Sequence, residues 1–257
     1  MTIQTLVSGV QLNIRETAAK MNLKTDSIVI NQCDVNSYDE YEYEGHRICC
    51  YCFAERGVGL SRNNALLRAT ADIILFSDED IVYEDDYADK ILKAYESYPD
   101  ADMLLFNLDV DSERATYHTE AVKRVHRYNC GRYPTYSFTC RRESIHKAGI
   151  TFHLLFGGGA RYSNGEDSLF IDEALRKGLK VYALPVGIGR EVPRPSTWFK
   201  GYDDKFFYDR GVLYKYLYGR LAPVMGFRFL YKNRTKMLKD KTFKEASFLM
   251  RKGMKEA

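Results

Sequence analysis

The chain has 257 residues, 45% of them hydrophobic and 28% charged, with a formal net charge of +3. That length supports one sizeable core and is modest for two full domains. Both fractions are ordinary for a soluble globular protein, and no nucleic-acid partner is expected. No apolar run approaches the length of a spanning helix. The start, Met1 to Val7, reads as a strand rather than a signal peptide, so a cytoplasmic protein is expected, with peripheral membrane contact left open.

Taken in chain order, Ile3–Ser8 reads as a strand, residues 14–22 as a helix, Ser27–Asn31 as a second strand and Arg47–Phe53 as a third. A helix over 60–70 leads to a strand over 72–77, and a helix over 85–97 leads to a strand over Ala101–Asp109. Residues 110–135 are polar and irregular. Tyr136–Arg141 is another strand, and a helix over 143–148 stops at Gly149. A helix over 168–177 stops at Gly178 and leads to a late strand, Lys180–Pro185. Residues 186–204 are punctuated by Pro and Gly. The alternation of strands and helices predicts an α/β fold, a mostly parallel central sheet flanked by helices. The boundaries expected are a domain over 1–204, divided near 109, and a basic helical region over 205–257.

Three segments carry chemistry. In the first, the apolar run Ile73 to Phe76 ends in Asp78, Glu79 and Asp80. Carboxylates at the carboxyl end of a parallel strand lie where open α/β sheets bind ligands. In extended geometry Asp78 and Asp80 point the same way, and two hard oxygen ligands suit Mg²⁺ or Mn²⁺ holding a diphosphate. An acidic turn capping the next helix fits the same residues. In the second, Glu55 to Thr70 reads as a glycine-containing loop and a helix with Ser61 at its N-cap. Arg62 and Asn63 would then lie in the first turn, where an anion such as a phosphate is favoured. An ion pair and a cap are the plainer roles for the same two residues. In the third, a glycine-rich loop over 156–165, containing Gly158 and Arg161, precedes Glu166 and Asp167 at a helix start. Acidic residues there are often only dipole-friendly, but one facing a site is a candidate general base.

The order of these segments resembles the family 2 glycosyltransferases, inverting enzymes of the nucleotide-diphospho-sugar transferase (GT-A) fold. Arg56-Gly57, Ser61-Arg62-Asn63, Leu75 to Asp80 and Gly165-Glu166-Asp167 with Phe170 carry the likeness, and the general pattern spans about residues 3–195. The N-terminal part is similar to bacterial exopolysaccharide or capsule members. The resemblance implies a hexosyltransferase-like enzyme that transfers a sugar from a nucleotide-diphosphate donor, a UDP-sugar foremost, to a glycan or lipid-linked acceptor. It implies a nucleotide-sugar half over 1–109 and an acceptor half over 110–204. Ser8, Gly9, Gln32 and Asp34 would meet the base, and Arg62 and Asn63 would brace the nucleotide. Asp78 would meet the ribose or a metal-bound water, and Asp80 would ligate Mg²⁺ or Mn²⁺. Asp167 would be the base, with Glu166 orienting it or the acceptor. Gly158, Arg161 and the single tryptophan, Trp198, are acceptor candidates. Many relatives carry a His near 190–194 that completes the metal site, whereas this chain has Arg190 and Glu191 there. Either could substitute, as an oxygen ligand or as a countercharge.

Other readings are weaker on the residues. A dinucleotide fold would need G-x-G-x-x-G after the first strand, and Val7 to Asn13 lacks it. Cys49 and Cys52 have C-x-x-C spacing, but in a strand they face opposite sides, so all six cysteines are expected to be reduced. The intact acidic motifs at 78–80 and 166–167 argue against a catalytically silent nucleotide-sugar or carbohydrate-binding homologue, and a membrane-associated interaction protein using the basic tail would bind membrane or partner without any nucleotide-sugar effect. Residues 228–257 hold ten Lys/Arg against three Asp/Glu, a net of +7, interleaved with apolar residues. Such a tail could lie on an anionic membrane or pack on the domain. Because the motifs end well before it, its removal is expected to leave a folded domain.

Overall fold

The computed structural model describes residues 1–111, 115, 117–192 and 201–257. Trp198 lies outside them. In chain order the strands are β1 (Ile3–Val10), β2 (Asp26–Gln32), β3 (Ser37–Tyr43), β4 (His46–Phe53), β5 (Ile73–Asp78), β6 (Ile81–Tyr83), β7 (Met103–Asp109), β8 (Lys123–Arg124), β9 (Phe138–Arg141) and β10 (Val181–Glu191). The helices are α1 (Ile14–Met21), α2 (Val58–Arg68), α3 (Tyr87–Ser97), α4 (Arg142–Ala148), α5 (Glu166–Arg176), α6 (Asp204–Tyr218), α7 (Ala222–Met237) and α8 (Phe243–Glu256).

One sheet has the order β3-β4-β2-β1-β5-β9-β7-β10-β6, with β8 beside β10. The expected parallel arrangement is found in β4-β2-β1-β5. Beyond β5 the sheet is mixed, because β9 runs antiparallel between β5 and β7. The run Ile73 to Phe76 is fully buried, as a strand covered on both faces must be. Alternation splits the apolar residues between two cores. Leu6, Ile28, Ile74 and Phe76 face α2 and α5, while Val7, Val29, Ile73 and Leu75 face α1 and α3.

Several boundaries differ from the sequence reading. β3 is an added edge strand, Ser-Tyr-Asp-Glu-Tyr-Glu-Tyr, whose acidic positions hide its period of two. It pairs with β4 through a turn in which Glu44 and Gly45 both have positive φ, the geometry of a tight hairpin. Its charges blunt the exposed edge. β10 runs to Glu191 rather than Pro185, with register shifts after Ala183 and after Gly187 that accommodate the proline. α2 starts at Val58, not at residue 60. Its N-cap is Gly57 at φ +127, and Ser61 is a buried residue inside the helix. Arg62 and Asn63 therefore lie beyond the first turn.

The chain after residue 203 forms a third layer of helices. Asp203 caps α6 by accepting from Phe206 N at 2.7 Å, and α8 starts with a reciprocal capping box between Thr242 and Glu245. α6 and α8 cross so closely that a Cβ on Gly211 would lie 2.0 Å from the Met250 carbonyl oxygen. One on Gly253 would lie 2.1 Å from that of Tyr208. Val212, Leu213 and Leu217 of α6 in turn pack on Phe156 and Tyr162 of the glycine-rich loop.

Candidate active site

The register of the sheet builds one wall. Ser8 of β1 sits beside Ile30 of β2 on one side and Asp78 of β5 on the other. The Ser8 hydroxyl is buried and has no hydrogen-bond partner among the described residues, an orphan that a ligand could satisfy. Gly9 is required by close approach, since a Cβ there would lie 2.2 Å from Glu79 Oε2. That carboxylate accepts from Val10 N at 2.8 Å, so Glu79 ties the acidic turn back to β1. Gln32 is only 4% exposed; its Oε1 accepts from Gly57 N at 2.8 Å, and its amide nitrogen reaches the Gly9 carbonyl. Gln32 therefore holds β1 and α2 together rather than presenting a free edge. Asp34 is exposed at the rim and accepts from Gln11 at 2.8 Å and Arg56 at 2.8 Å. These bonds, with Gln11 first, hold its carboxyl below the usual range.

The opposite wall is α5. Gly165 precedes it at φ +119, a conformation suited to glycine, and a Cβ there would lie 2.6 Å from Leu213 of α6. Between the walls stands Arg62. Its side chain is 5% exposed and reaches Asp78 at 2.7 Å and Glu166 at 2.9 Å, while its guanidinium lies 5.4 Å from the centre of the Phe152 ring. Burial opposes its charge, but Asp78 and Glu166 outweigh that and raise its pKa overall. Behind it Phe76, Phe152 and Phe170 pack as an aromatic cluster, with Phe152 and Phe170 stacked at 4.3 Å. The expected nucleotide brace is thus a buried bridge between the two acidic motifs. Asn63 is turned away from such a role too. It donates to Phe152 O at 2.9 Å and accepts from Phe152 N at 2.7 Å, which spends both ends of its amide on the backbone.

Asp167 is the distinctive titratable group. Burial first, and the adjacent Glu166 second, push its carboxyl up to about 6. Its Oδ1 accepts from Ser168 N at 2.6 Å, which fixes the side chain at the helix start. Glu166 is engaged with Arg62 and with its own helix entrance through Gly165 N at 3.1 Å. The two neighbours thus have different partners, Glu166 the Arg62 guanidinium and Asp167 the start of its own helix. Gly158 accepts from Val58 N at 2.9 Å, which packs the glycine-rich loop on the start of α2. Arg161 is exposed, stacked over Tyr162.

Asp80 lies in the turn after β5, not in extended continuation of it, so the same-side geometry expected of Asp78 and Asp80 is replaced by a strand end and a turn. The Asp80 carbonyl accepts from Val192 N at 2.8 Å, and Glu191 pairs in register with Ile81. Glu191 therefore closes the same corner of the site, at 9% exposure. Among the described residues no three His, Cys, Asp or Glu side chains gather as a ready metal cage. The donor set still fits a hard divalent cation. Mg²⁺ and Mn²⁺ take carboxylate oxygens, and commonly only one or two from protein, the remainder coming from phosphate and water. Asp78, already bonded to Arg62, and Asp80 are the carboxylates at this corner that such a cation would meet.

A glycine-rich loop, a strand ending in acidic residues and a helix starting Glu-Asp converge on one cleft, and the glycosyl transferase family 2 model matches residues 22–155. The chain belongs to that family. As a family 2 glycosyltransferase it has the GT-A fold. Residues 1–349 of TarS from S. aureus, solved in complex with UDP-GlcNAc, superpose with a TM-score of 0.64 at 15% identity, covering 93% of this chain and 74% of that one. The longer TarS chain is covered over 47% of its length, with a TM-score of 0.61 at 14% identity. The mannosyltransferase PcManGT from Pyrobaculum calidifontis, in complex with GDP-Man and Mn²⁺, matches with a TM-score of 0.51 at 13% identity, over 98% of this chain and 68% of that one. No curated protein matches the chain in sequence.

The elements that set Asp78 and Asp167 were legible in the sequence. The Arg62–Glu166 pair, 104 residues apart, carried no local signal. The same is true of Asp209, 1% exposed on α6, which accepts from Ser163 N and Oγ at 2.9 Å and anchors the loop before Gly165.

Proposed function

We propose that this family 2 glycosyltransferase transfers a sugar with inversion from a nucleotide-diphosphate donor, a UDP-sugar by preference, to a hydroxyl of a glycan or lipid-linked acceptor in cell-surface polysaccharide synthesis. The observation that carries this reading is Asp167, a carboxylate whose burial raises it to about 6, one residue from the Arg62-bridged pair. A base in that range is mostly ionised at neutral pH, yet accepts a proton far more readily than an ordinary carboxylate. The acceptor hydroxyl gives its proton to Asp167 as its oxygen forms a bond to the anomeric carbon. The bond from that carbon to the diphosphate oxygen breaks on the opposite face, and the electron pair leaves with the nucleoside diphosphate.

Ser8, with its unsatisfied hydroxyl, and Asp34 at the rim are the base and ribose contacts this geometry favours. Asp80, assisted by Asp78, would hold Mg²⁺ or Mn²⁺, which when bound offsets negative charge on the diphosphate. Arg62 holds Asp78 and Glu166 in fixed positions. Gly158, Arg161 and Trp198 remain the acceptor-side candidates. The test is a melting-temperature screen of nucleotide sugars with and without Mn²⁺, followed by calorimetry on Asp80→Asn. A true donor raises the melting temperature with concentration. The substitution should abolish the Mn²⁺-dependent part of donor affinity; unchanged metal-assisted affinity would remove Asp80 from the site.

A further inference from the structure

The helical layer has a hollow of its own, lined by none of the residues of the candidate active site. A cavity of about 390 Å³ opens between the last turn of α6, the start of α7 and the C-terminal half of α8. Four cations line it, Lys215, Arg220, Arg251 and Lys255, together with apolar Pro223 and Met254, and no Asp or Glu is among the lining residues. All four cationic residues are exposed. The wall of the hollow is mostly apolar, made by Pro223, Met254 and the stems of these side chains, while their four like-charged ends reach solvent around it and together favour an anionic surface.

Beside this cavity lies a face that the fold leaves uncovered. α7 buries Ala222, Gly226 and Leu230 against its neighbours. On the opposite side Val224, Phe227 and Tyr231 recur at helical spacing and are 65%, 58% and 57% exposed, and Leu221, just before the helix, is 64% exposed. Phe227 stacks on Tyr231 at 6.3 Å and meets the edge of Phe243 at 5.4 Å, yet both Phe227 and Tyr231 stay more than half exposed. Arg228, Lys232 and Arg234 flank them, and α7 contains no acidic residue. An apolar stripe edged with cations suits a helix lying in the plane of a lipid interface.

We propose that the cavity and the α7 stripe together form a docking site for an anionic phospholipid surface. The Lys215, Arg220, Arg251 and Lys255 cluster takes a phosphate-bearing headgroup, while Leu221, Val224, Phe227 and Tyr231 enter the adjoining acyl boundary. A second copy of the chain is a poorer occupant, since like-charged faces would meet. A bilayer with negative headgroups satisfies both the charge and the apolar area. This narrows the basic tail to one face. The bulk of 228–257 does not act as a loose anchor, because α8 is locked against α6 through Gly211 and Gly253. The inference does not rest on the transfer reaction.

The test is co-sedimentation of the full-length protein with vesicles of phosphatidylcholine alone or mixed with phosphatidylglycerol. Binding is expected to the mixed vesicles only. Arg220→Gln with Arg251→Gln, and separately Phe227→Ser with Tyr231→Ser, should each lower the partition coefficient by about tenfold or more. Each variant is first checked for an unchanged cooperative melt. Raising ionic strength from about 0.05 to about 0.5 M should release the unsubstituted protein, a readout that needs no variant. The proposal is overturned if the wild type ignores anionic vesicles at low salt or binds neutral ones equally. It is also overturned if folded variants sediment like wild type, or if the Phe227 and Tyr231 substitutions instead dissociate a dimer.

Discussion

Asp167 and Arg62 show how burial sets chemistry one side chain at a time. Because burial raises the Asp167 pKa above that of the unfolded chain, the folded state binds a proton more tightly. Its contribution favours folding fully below about pH 4 and is lost as pH rises through about 6. Asp167→Asn removes the ionisation but keeps an oxygen for Ser168 N. The variant should therefore be more stable than wild type by about 1–2 kcal/mol above pH 6, a shift of about two units discounted for partial exposure, and show no gain near pH 4. The same variant should bind donor normally and transfer at least about a hundredfold more slowly. In the wild type, turnover should rise through pH 6 and level off above it. Melting curves at both pH values, donor titration and a turnover profile check all three. Near-normal transfer would give the proton to another group. Arg62→Met should behave oppositely. It leaves Asp78 and Glu166 facing each other across a buried gap and should cost about 3 kcal/mol or more in urea denaturation. A loss under 1 kcal/mol would mean that the bridge is not structural.

At the level of elements, legibility followed how each segment is buried. β5 is covered on both faces, so its residues are uniformly apolar and it stands out in the sequence. β3 is an edge, exposed at alternate positions and rich in acid, and its strand pattern disappears into polarity. β6 and β8 are only three and two residues long and exist because β10 offers them an edge. No local property announces that. The α6–α8 crossing provides the sharpest test. In an isolated helix Gly211→Ala would stabilise by about 1 kcal/mol. Here a Cβ would strike the Met250 carbonyl, so the substitution should instead destabilise by about 2 kcal/mol or more. A raised melting temperature for this variant would show that the helices are not in contact at that point.

For the whole molecule, the consequential element is α8. Ala246, Met250 and Met254 are buried against Phe206, Phe207 and Ala222. Each large apolar side chain so buried is worth about 1.5–3 kcal/mol. α6, which α8 covers, carries Leu213 against Gly165 and Asp209 against Ser163. Removing residues 238–257 should therefore lower the melting temperature by roughly 10 °C or cause aggregation. It should also weaken transfer by loosening the approach to Glu166 and Asp167. This reverses the expectation that the basic tail could be cut away harmlessly. A truncation that melts and turns over like the full chain would restore it.

The sequence alone determined the order of the α/β elements, the acidic end of β5, the Glu166-Asp167 helix start and the family to which they belong. Those features are local: an apolar run, a helix stop at Gly178, a cluster of carboxylates. Tertiary structure decided what the residues touch. It made Arg62 a bridge between Asp78 and Glu166, spent the amide of Asn63 on Phe152, and gave Asp167 and Glu166 different partners. It also converted a basic tail into a packed layer with one exposed face. The reason is common to all four. A side chain's partners, and the water it loses, come from segments tens to a hundred residues away, and no window along the chain contains both.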